Sequence, residues 1–235
     1  RKVVSGHVRI AEGRKKRTRS RLAVQPGKTV TVDLGGYSLI GREDSKGSVI
    51  TVHGNGNFTL KSSVSGSGSI SGGNADKGGG VHVEAEGIFT MEGVQIEQNS
   101  AINGGGVYNE GSFVFRGGEI YKNTAGENGG GVYNAGSFTM SGGSISNNTA
   151  KNNGGGVYQG GSMAVSGSGT VRENTRETDN TANNLFLAGG RTVSIGGTLN
   201  IDAIFNILSE EKPHYSDDLL PVPVKVATGA DDVDE

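Results

Sequence analysis

A triplet of glycines recurs through the middle of the chain at a nearly constant interval. The triplets occupy residues 78–80, 104–106, 129–131 and 154–156, so that successive copies start 26, 25 and 25 residues apart. A fixed period of about 20–50 residues is the signature of a repeat protein, in which each unit packs only against its neighbours. The repeat therefore constrains the fold more than any other feature of the sequence.

Alignment of the copies places apolar residues in four columns. Apolar residues alternate with small or polar ones within each unit, which is the period of a strand, and pieces such as GVYN, SFTMS and GSISN are too short for helices. We therefore predict an all-β parallel β-helix with three short strands per coil, a repeat of about 25 residues and coils about 4.8 Å apart. The columns are Val81, Val107, Val132 and Val157; Phe89, Phe113, Phe138 and Met163; Met91, Phe115, Met140 and Val165; and Ile96, Ile120, Ile145 and Val171.

A fifth column consists of asparagines, each three residues after a member of the last apolar column. Stacked asparagines bond to one another and to neighbouring backbone, and they tolerate left-handed geometry at a turn. We predict an internal asparagine ladder, with a ligand-binding row of amides as the alternative. The column is Asn99, Asn123, Asn148 and Asn174.

The chain is interpreted as a single β-helix domain over residues 1–235. We expect a basic N-terminal cap (1–28), irregular coils (29–77), regular repeats (78–175), last coils (176–208) and an irregular acidic C-terminal tail (209–235). Residues 1–28 carry ten Lys or Arg and one Glu, whereas the remainder has 12 basic and 23 acidic residues. Because solenoid ends need a cover over the open core, the basic segment is predicted to be that cap.

Composition excludes several classes of protein. The 43 glycines follow no period of three, which excludes collagen, and the absence of cysteine excludes disulfides and thiolate metal sites. No apolar run approaches the roughly 20 residues that a membrane helix needs. The chain begins at Arg1 without a signal peptide and ends in an acidic segment, so we expect it to be part of a longer protein.

These motifs resemble known families. The pairing of GGGV and Tyr or His with an aliphatic-x-x-Asn motif resembles the repeats of chlamydial polymorphic outer-membrane proteins. GGGVYN, FTMSGGSISNNTA and the lead-in TVDLGGYSLIG are still more similar to β-helical surface proteins of gut Gram-positive bacteria, over roughly residues 22–200. The resemblance implies a pectate-lyase-like, right-handed β-helix in an exported or wall-attached bacterial protein, often an adhesin. It implies no particular ligand.

A polysaccharide-active enzyme is the main alternative to an adhesin. Residues 77–178 contain no Asp, the triplets of polygalacturonase-like enzymes are absent, and no calcium nonapeptide or zinc spacing appears. One carboxylate pair is a weak catalytic candidate: Glu86 and Glu110 should stack on neighbouring coils about 5 Å apart, as in retaining glycosidases. Otherwise they are solvated turn residues. We predict no catalytic residue, no metal and no cofactor.

The best candidate site is an aromatic column beside the valine column. Aromatics exposed at about 4.8 Å steps would form a flat strip suited to stacking on sugar rings or anchoring a protein. The alternative is that tyrosine simply favours strands. The predicted ligand-binding residues are Tyr108, Tyr133, Tyr158, His82 and Phe186.

The basic run near the N-terminus is a second candidate, for polyanions such as heparan-like glycans, teichoic acid or nucleic acid. It lacks interleaved aromatics, so we expect no specific nucleic-acid recognition, and a solvated cap loop is the alternative. An ice-binding face is not supported, because the column Thr90, Val114, Thr139 and Ala164 is broken. The basic residues are Arg14, Lys15, Lys16, Arg17, Arg19 and Arg21.

Taken together, the sequence favours a monomeric, non-enzymatic adhesin on the bacterial cell surface that binds a host protein or glycan. A structural spacer in a larger surface protein is a third hypothesis.

Overall fold

The chain folds as a parallel β-solenoid of about 7 turns, with about 26 residues per turn and no helix among its described residues. The computed structural model describes residues 21–41, 46–64, 66–200, 203–205 and 207–208. It also describes the backbone of Ser209 and of six short strand segments nearer the termini. The prediction of an all-β parallel repeat fold is confirmed.

Each coil contributes strands to three stacked sheets, which we name A, B and C. Sheet A contains Lys2–Val3, Leu22–Val24, Ile50–Val52, Val81–Val83, Val107–Asn109, Val132–Asn134, Val157–Gln159, Leu185–Leu187 and Ile207–Ser209. The main path of sheet B contains Gly6–Arg9, Thr29–Asp33, Asn57–Lys61, Ile88–Glu97, Ser112–Tyr121, Ser137–Met140, Ser162–Gly167, Val193–Leu199 and Ala227–Thr228. Its side branch contains Thr18–Arg19, Ser38–Ile40, Ser69–Ser71, Ser144–Ser146, Thr170–Arg172 and Ile204–Phe205. Sheet C contains Asn74–Lys77, Ser100–Asn103, Thr124–Ala125, Thr149–Ala150, Thr175–Arg176 and Thr181–Ala182, and a separate hairpin pairs His214–Tyr215 with Pro221–Val222.

The three predicted pieces of each repeat all form strands. In the coil that starts at Gly129, GVYN supplies sheet A, and SFTMS and GSISN supply the two segments of sheet B. Sheet C is formed by a two-residue Thr-Ala piece that follows the ladder asparagine, and its strand character was not predicted. A segment of two small residues carries too little periodicity to be recognised as a strand.

The four predicted apolar columns fill the solenoid interior. Every member is at most 3% exposed. The phenylalanines of one column stack on one another, with ring centroids 5.9 Å apart between Phe58 and Phe89 and 5.0 Å apart between Phe89 and Phe113. This core runs along the axis, which explains how a chain with only 32% hydrophobic residues can fold.

The predicted asparagine ladder is present and buried. The Nδ2 group of Asn123 donates to the Oδ1 atom of Asn148 at 3.0 Å, and to the backbone oxygens of Ile96 and Tyr121. The Oδ1 atom of Asn148 also accepts from the backbone N–H of Asn123, at 2.9 Å. Each side chain thus satisfies buried backbone groups at a corner of the coil, and Asn184 adds a fifth member at the C-terminal end.

A second buried ladder lies at the end of the sheet A strands and was not predicted. Asn109 donates to Asn134 at 2.7 Å, and Asn134 donates to Gln159 at 2.8 Å. The ladder stops where its column becomes aliphatic, at Val83 on one side and Leu187 on the other. Consequently the Asn109 Oδ1 and Gln159 Nε2 atoms are buried with no hydrogen-bond partner among the described residues.

The glycine triplet is explained by the close approach of successive coils at the corner between sheets C and A. Gly129 has a φ of 68°, which favours glycine. A Cβ atom on Gly130 would lie 2.4 Å from the Gly155 carbonyl oxygen and 2.5 Å from that of Thr149. On Gly131 it would lie 3.0 Å from the ladder amide of Asn148. The glycine triplet therefore recurs in the sequence because this corner has no room for side chains.

The residue before each ladder asparagine has a left-handed backbone. The φ angles are 52° at Gln98, 54° at Lys122, 54° at Asn147 and 58° at Glu173. Left-handed geometry costs most side chains roughly 1–2 kcal/mol, and asparagine and glycine least. Asn147 is therefore the best suited of the four.

We expect Gln98→Asn to raise the free energy of unfolding by about 0.5 kcal/mol, because Asn tolerates this backbone better than Gln. Gln98→Val should instead lower it by roughly 1 kcal/mol, since a β-branched side chain is disfavoured at positive φ. Chemical denaturation of the three proteins measures both changes. Equal destabilisation by Asn and Val would show that the side chain of Gln98, rather than its backbone, governs this corner.

The proposed subdivision of the chain stays a prediction. The described segments of residues 1–20 pair with the next coil, as when Lys2 and Val3 pair with Leu22 and Ala23. In the C-terminal region Val193 and Ser194 pair with Ala227 and Thr228. Residues 21–28 of the predicted cap are described and contain the sheet A strand Leu22–Val24, whereas most of residues 1–20 and of the predicted acidic tail lies outside the described residues.

Candidate functional site

The aromatic column forms a continuous stack on the outer side of sheet A, which we name the tyrosine row: His82, Tyr108, Tyr133, Tyr158 and Phe186. Register places its members directly beside one another in successive coils. The ring centroids of Tyr108 and Tyr133 are 4.7 Å apart with an interplanar angle of 2°, and those of Tyr133 and Tyr158 are 4.8 Å apart at 9°. The rings therefore lie face to face along the solenoid axis.

This stacking corrects the expectation of an exposed, flat aromatic strip. Tyr108 and Phe186 are each only 9% exposed, and the other tyrosines are partly buried. The interior ring faces cover one another, and at the ends His82 meets Tyr108 edge-on and Phe186 covers Tyr158. What the row presents is ring edges and phenol hydroxyls.

A charged cluster lies at the N-terminal end of the tyrosine row. Glu110 accepts from Lys77 Nζ at 2.7 Å through Oε1 and contacts His82 Nε2 at 2.9 Å through Oε2. The Lys77 ammonium also lies 4.8 Å from the centroid of the Tyr108 ring, a cation–π arrangement. The cluster thus connects a sheet C strand, a sheet A strand and the turn after the sheet A strand of the next coil.

The pKa values in this cluster follow from its contacts. Burial acts to raise the pKa of Glu110, but the hydrogen bonds from Lys77 and His82 outweigh it and hold that pKa below its ordinary value. The hydrogen bond to Glu110 raises the pKa of Lys77. Burial raises the pKa of Tyr108 and of Tyr133, so both phenols keep their protons as hydrogen-bond donors at neutral pH.

A row of asparagines flanks the tyrosine row, and we name it the amide row: Asn103, Asn128 and Asn153. Each directly precedes a glycine triplet. The closeness of the two rows is seen at Lys77, whose ammonium lies 4.8 Å from the centroid of the Tyr108 ring. Lys77 occupies the same register position as Asn103 in the preceding coil.

The amide row is internally connected. The Oδ1 atom of Asn103 accepts from the backbone N–H of Asn128, and that of Asn128 accepts from the backbone N–H of Asn153, both at 3.1 Å. The Nδ2 group of Asn103 donates to Glu127 at 2.8 Å. Within the part of the chain that the structure describes, the Nδ2 groups of Asn128 and Asn153 and the Tyr133 hydroxyl have no hydrogen-bond partner.

Sequence reasoning found the tyrosine row but missed its polar neighbours. Lys77 and Glu110 were not linked to the row, because the cluster depends on side-chain reach across coils. The signal for the amide row was present as an Asn-Gly pair at three successive repeats. An Asn-Gly pair is typical of a turn, so the pattern does not by itself indicate a row of amides on the surface.

The predicted Glu86–Glu110 pair is not formed. Glu110 N–H donates to the Val83 oxygen, and Glu84 N–H donates to the Val52 oxygen, so Glu110 stacks on Glu84. The turn that contains Glu86 is two residues longer than the next one, since Val83 pairs with Asn109 and Ile88 pairs with Ser112.

Glu86 is instead held by a residue of the preceding coil. Its Oε2 atom accepts from Asn55 Nδ2 at 2.9 Å, whereas the Glu110 carboxylate contacts Lys77 and His82. Glu86 and Glu110 therefore do not form the closely spaced pair of carboxylates that a retaining glycosidase uses.

The predicted polyanion site lies almost entirely outside the described residues. This applies to Arg14, Lys15, Lys16 and Arg17, and for Arg19 only the backbone is described, in the strand Thr18–Arg19. Arg21 is half-buried, and a Cβ atom on Gly47 would lie 2.8 Å from its guanidinium carbon. Polyanion binding by this run stays a prediction.

The described residues lack two features that other classes of site would require. In that part of the chain no group of three His, Asp or Glu side chains is placed to hold a metal ion. None of it forms a helix long and apolar enough to cross a membrane. Comparisons with protein-family models, with curated proteins and with solved structures found no match. The classification of this chain therefore rests on its own geometry, which is that of a parallel β-solenoid with an aromatic row on sheet A and an amide row at the corner between sheets C and A.

Proposed function

We propose that this protein is a non-enzymatic binding scaffold, an adhesin domain of a bacterial surface protein that recognises a host protein or glycan through sheet A. The observation that carries the proposal is the tyrosine row, which continues through five coils outside the hydrophobic core. The core columns already fill the interior, so the row has no role there. Tyrosine is enriched at binding surfaces because it combines apolar area with a hydrogen-bonding group.

The cell-surface location is part of the same proposal. It is supported by the resemblance of GGGVYN and FTMSGGSISNNTA to surface proteins of gut bacteria. An enzyme of the same fold is less well supported, since the one carboxylate pair considered, Glu86 and Glu110, is separated into two different contacts. A spacer role makes a different prediction, namely that sheet A binds nothing.

Replacement of Tyr108, Tyr133 and Tyr158 by Ser is expected to abolish binding to immobilised host glycans and extracellular proteins, because the row loses its ring edges and hydroxyls together. Binding is measured on a glycan and matrix-protein array, and circular dichroism checks that the solenoid persists. The matched control is Tyr37 and Tyr121 replaced by Ser, since these tyrosines lie outside sheet A. Binding that survives the triple replacement would contradict the proposal, and a wild-type chain that binds no array member would favour the spacer.

A further inference from the structure

We propose that the tyrosine row and the amide row together take an uncharged, extended glycan that runs parallel to the solenoid axis, with one sugar unit per coil. The inference rests on the proposed function and specifies its ligand. It follows from three properties of the surface: which groups face outward, how they are spaced, and how charge is distributed among them.

The outward groups are hydrogen-bonding edges rather than ring faces. Tyr133 is covered on both faces by Tyr108 and Tyr158, at 4.7 and 4.8 Å. A sugar therefore cannot stack on it in the usual way and instead meets its hydroxyl. Beside it, the Nδ2 groups of Asn128 and Asn153 have no partner among the described residues. Phenol hydroxyls and amide N–H groups are the donors that hydroxyl-rich ligands require.

The spacing selects a periodic ligand. Donors repeat with the coils, and the ring centroids of the tyrosine row give that repeat as 4.7–4.8 Å. An extended peptide repeats its side-chain orientation only every two residues, about 6.6–6.8 Å, and so falls out of register with the coils. The coil repeat is close to the length of one pyranose unit in an extended β-linked chain. Adjacent units of an extended β-1,4-linked chain are turned over relative to one another, so such a glycan advances by about one unit per coil and repeats identical contacts in every second coil. Both edges of each unit carry hydroxyl groups, so the donors of every coil still meet an acceptor.

The distribution of charge argues for a neutral ligand. The charged side chains at this surface already form hydrogen bonds within it. Lys77 donates to Glu110, and Glu127 accepts from Asn103. From Tyr133 to Phe186 the tyrosine row is uncharged. A polymer with a charge on every unit would find no row of opposite charges, and burial of unpaired charge is unfavourable.

The test uses the whole chain and labelled β-1,4-linked oligosaccharides of glucose and of N-acetylglucosamine, from two to eight units long. Affinity is measured by fluorescence anisotropy. It is expected to rise with length and to level off at about three to four units, because Asn103, Asn128 and Asn153 span three coils. Uronic and sulfated oligosaccharides of the same lengths should bind at least tenfold more weakly. Failure of every neutral oligosaccharide to bind at millimolar concentration would overturn the inference, as would stronger binding of the charged series.

A second variant separates this inference from the proposed function. Tyr108, Tyr133 and Tyr158 replaced by Phe keep the ring stack and lose only the hydroxyls, so neutral oligosaccharides should bind about tenfold more weakly. Asn128→Ala should act in the same direction, and Tyr121→Phe, outside sheet A, should have no effect. If the Phe variant binds as tightly as the wild type while the Ser variant does not bind, edge recognition is wrong and the row remains a binding site.

Discussion

Gly130→Ala is expected to lower the free energy of unfolding by roughly 3 kcal/mol, at the upper end of the usual cost of overpacking. The added methyl group would lie 2.4 Å from one carbonyl oxygen and 2.5 Å from another, and both belong to backbone that cannot rotate away. The coil can relieve the contact only by moving from the next coil, which strains the adjoining ladder. Urea denaturation followed by circular dichroism measures the change.

Gly126→Ala is the matched control, four residues earlier in the same coil. A Cβ atom there has no neighbour closer than 3.8 Å, so the free energy of unfolding should stay within about 0.5 kcal/mol of the wild type. If both variants lose the same stability, the loss would not depend on the close contacts with the two carbonyl oxygens. The steric account of the glycine triplet would then be wrong.

Asn148→Leu is the second replacement with a large expected effect, a loss of roughly 3–5 kcal/mol in the free energy of unfolding. Leucine fills a similar volume but removes an acceptor for Asn123 and donors for the Ile120 oxygen and for Asn174. Each of these groups is buried, and each unsatisfied buried group costs about 1–3 kcal/mol. Thermal and chemical denaturation should both report the loss.

Asn152→Ala serves as the control, since Asn152 is exposed and lies four residues further along the same coil. A surface replacement of this kind should change the free energy of unfolding by less than about 0.5 kcal/mol. An Asn148→Leu protein as stable as the wild type would show that water or backbone adjustment can satisfy the ladder. The ladder would then be dispensable.

Sequence repetition predicted the interior of this protein well, because residues at the same position of successive repeats lie beside one another in successive coils. Phe113 and Phe138 are buried neighbours because they share a column, and Asn123 and Asn148 bond for the same reason. The same logic correctly placed Phe186 after Tyr158, although its repeat is irregular.

The surface was predicted less well, for two physical reasons. The period gives the distance between tyrosines but not the rotation of their rings, so exposed faces were expected where Tyr108 and Tyr133 cover each other. A turn two residues longer than its neighbour also moved Glu86 out of the column of Glu110. Lengths of turns are set by local backbone geometry, which repetition does not fix.

The side-chain amides of the two buried ladders also give the solenoid a net dipole along its axis. Within both ladders the bond between side chains always runs from the amide N–H of one coil to the amide oxygen of the next, as from Asn99 to Asn123 and from Asn109 to Asn134, so the side-chain dipoles add along the axis with the positive end toward the C-terminus. As at the ends of a helix, negative charge is favoured near a positive dipole end and positive charge near the negative one. The longer ladder begins at Asn99 and ends at Asn184, so the negative end of its dipole lies at Asn99 and the positive end at Asn184. A carboxylate placed beside Asn184 would therefore be more favourable than one placed beside Asn99.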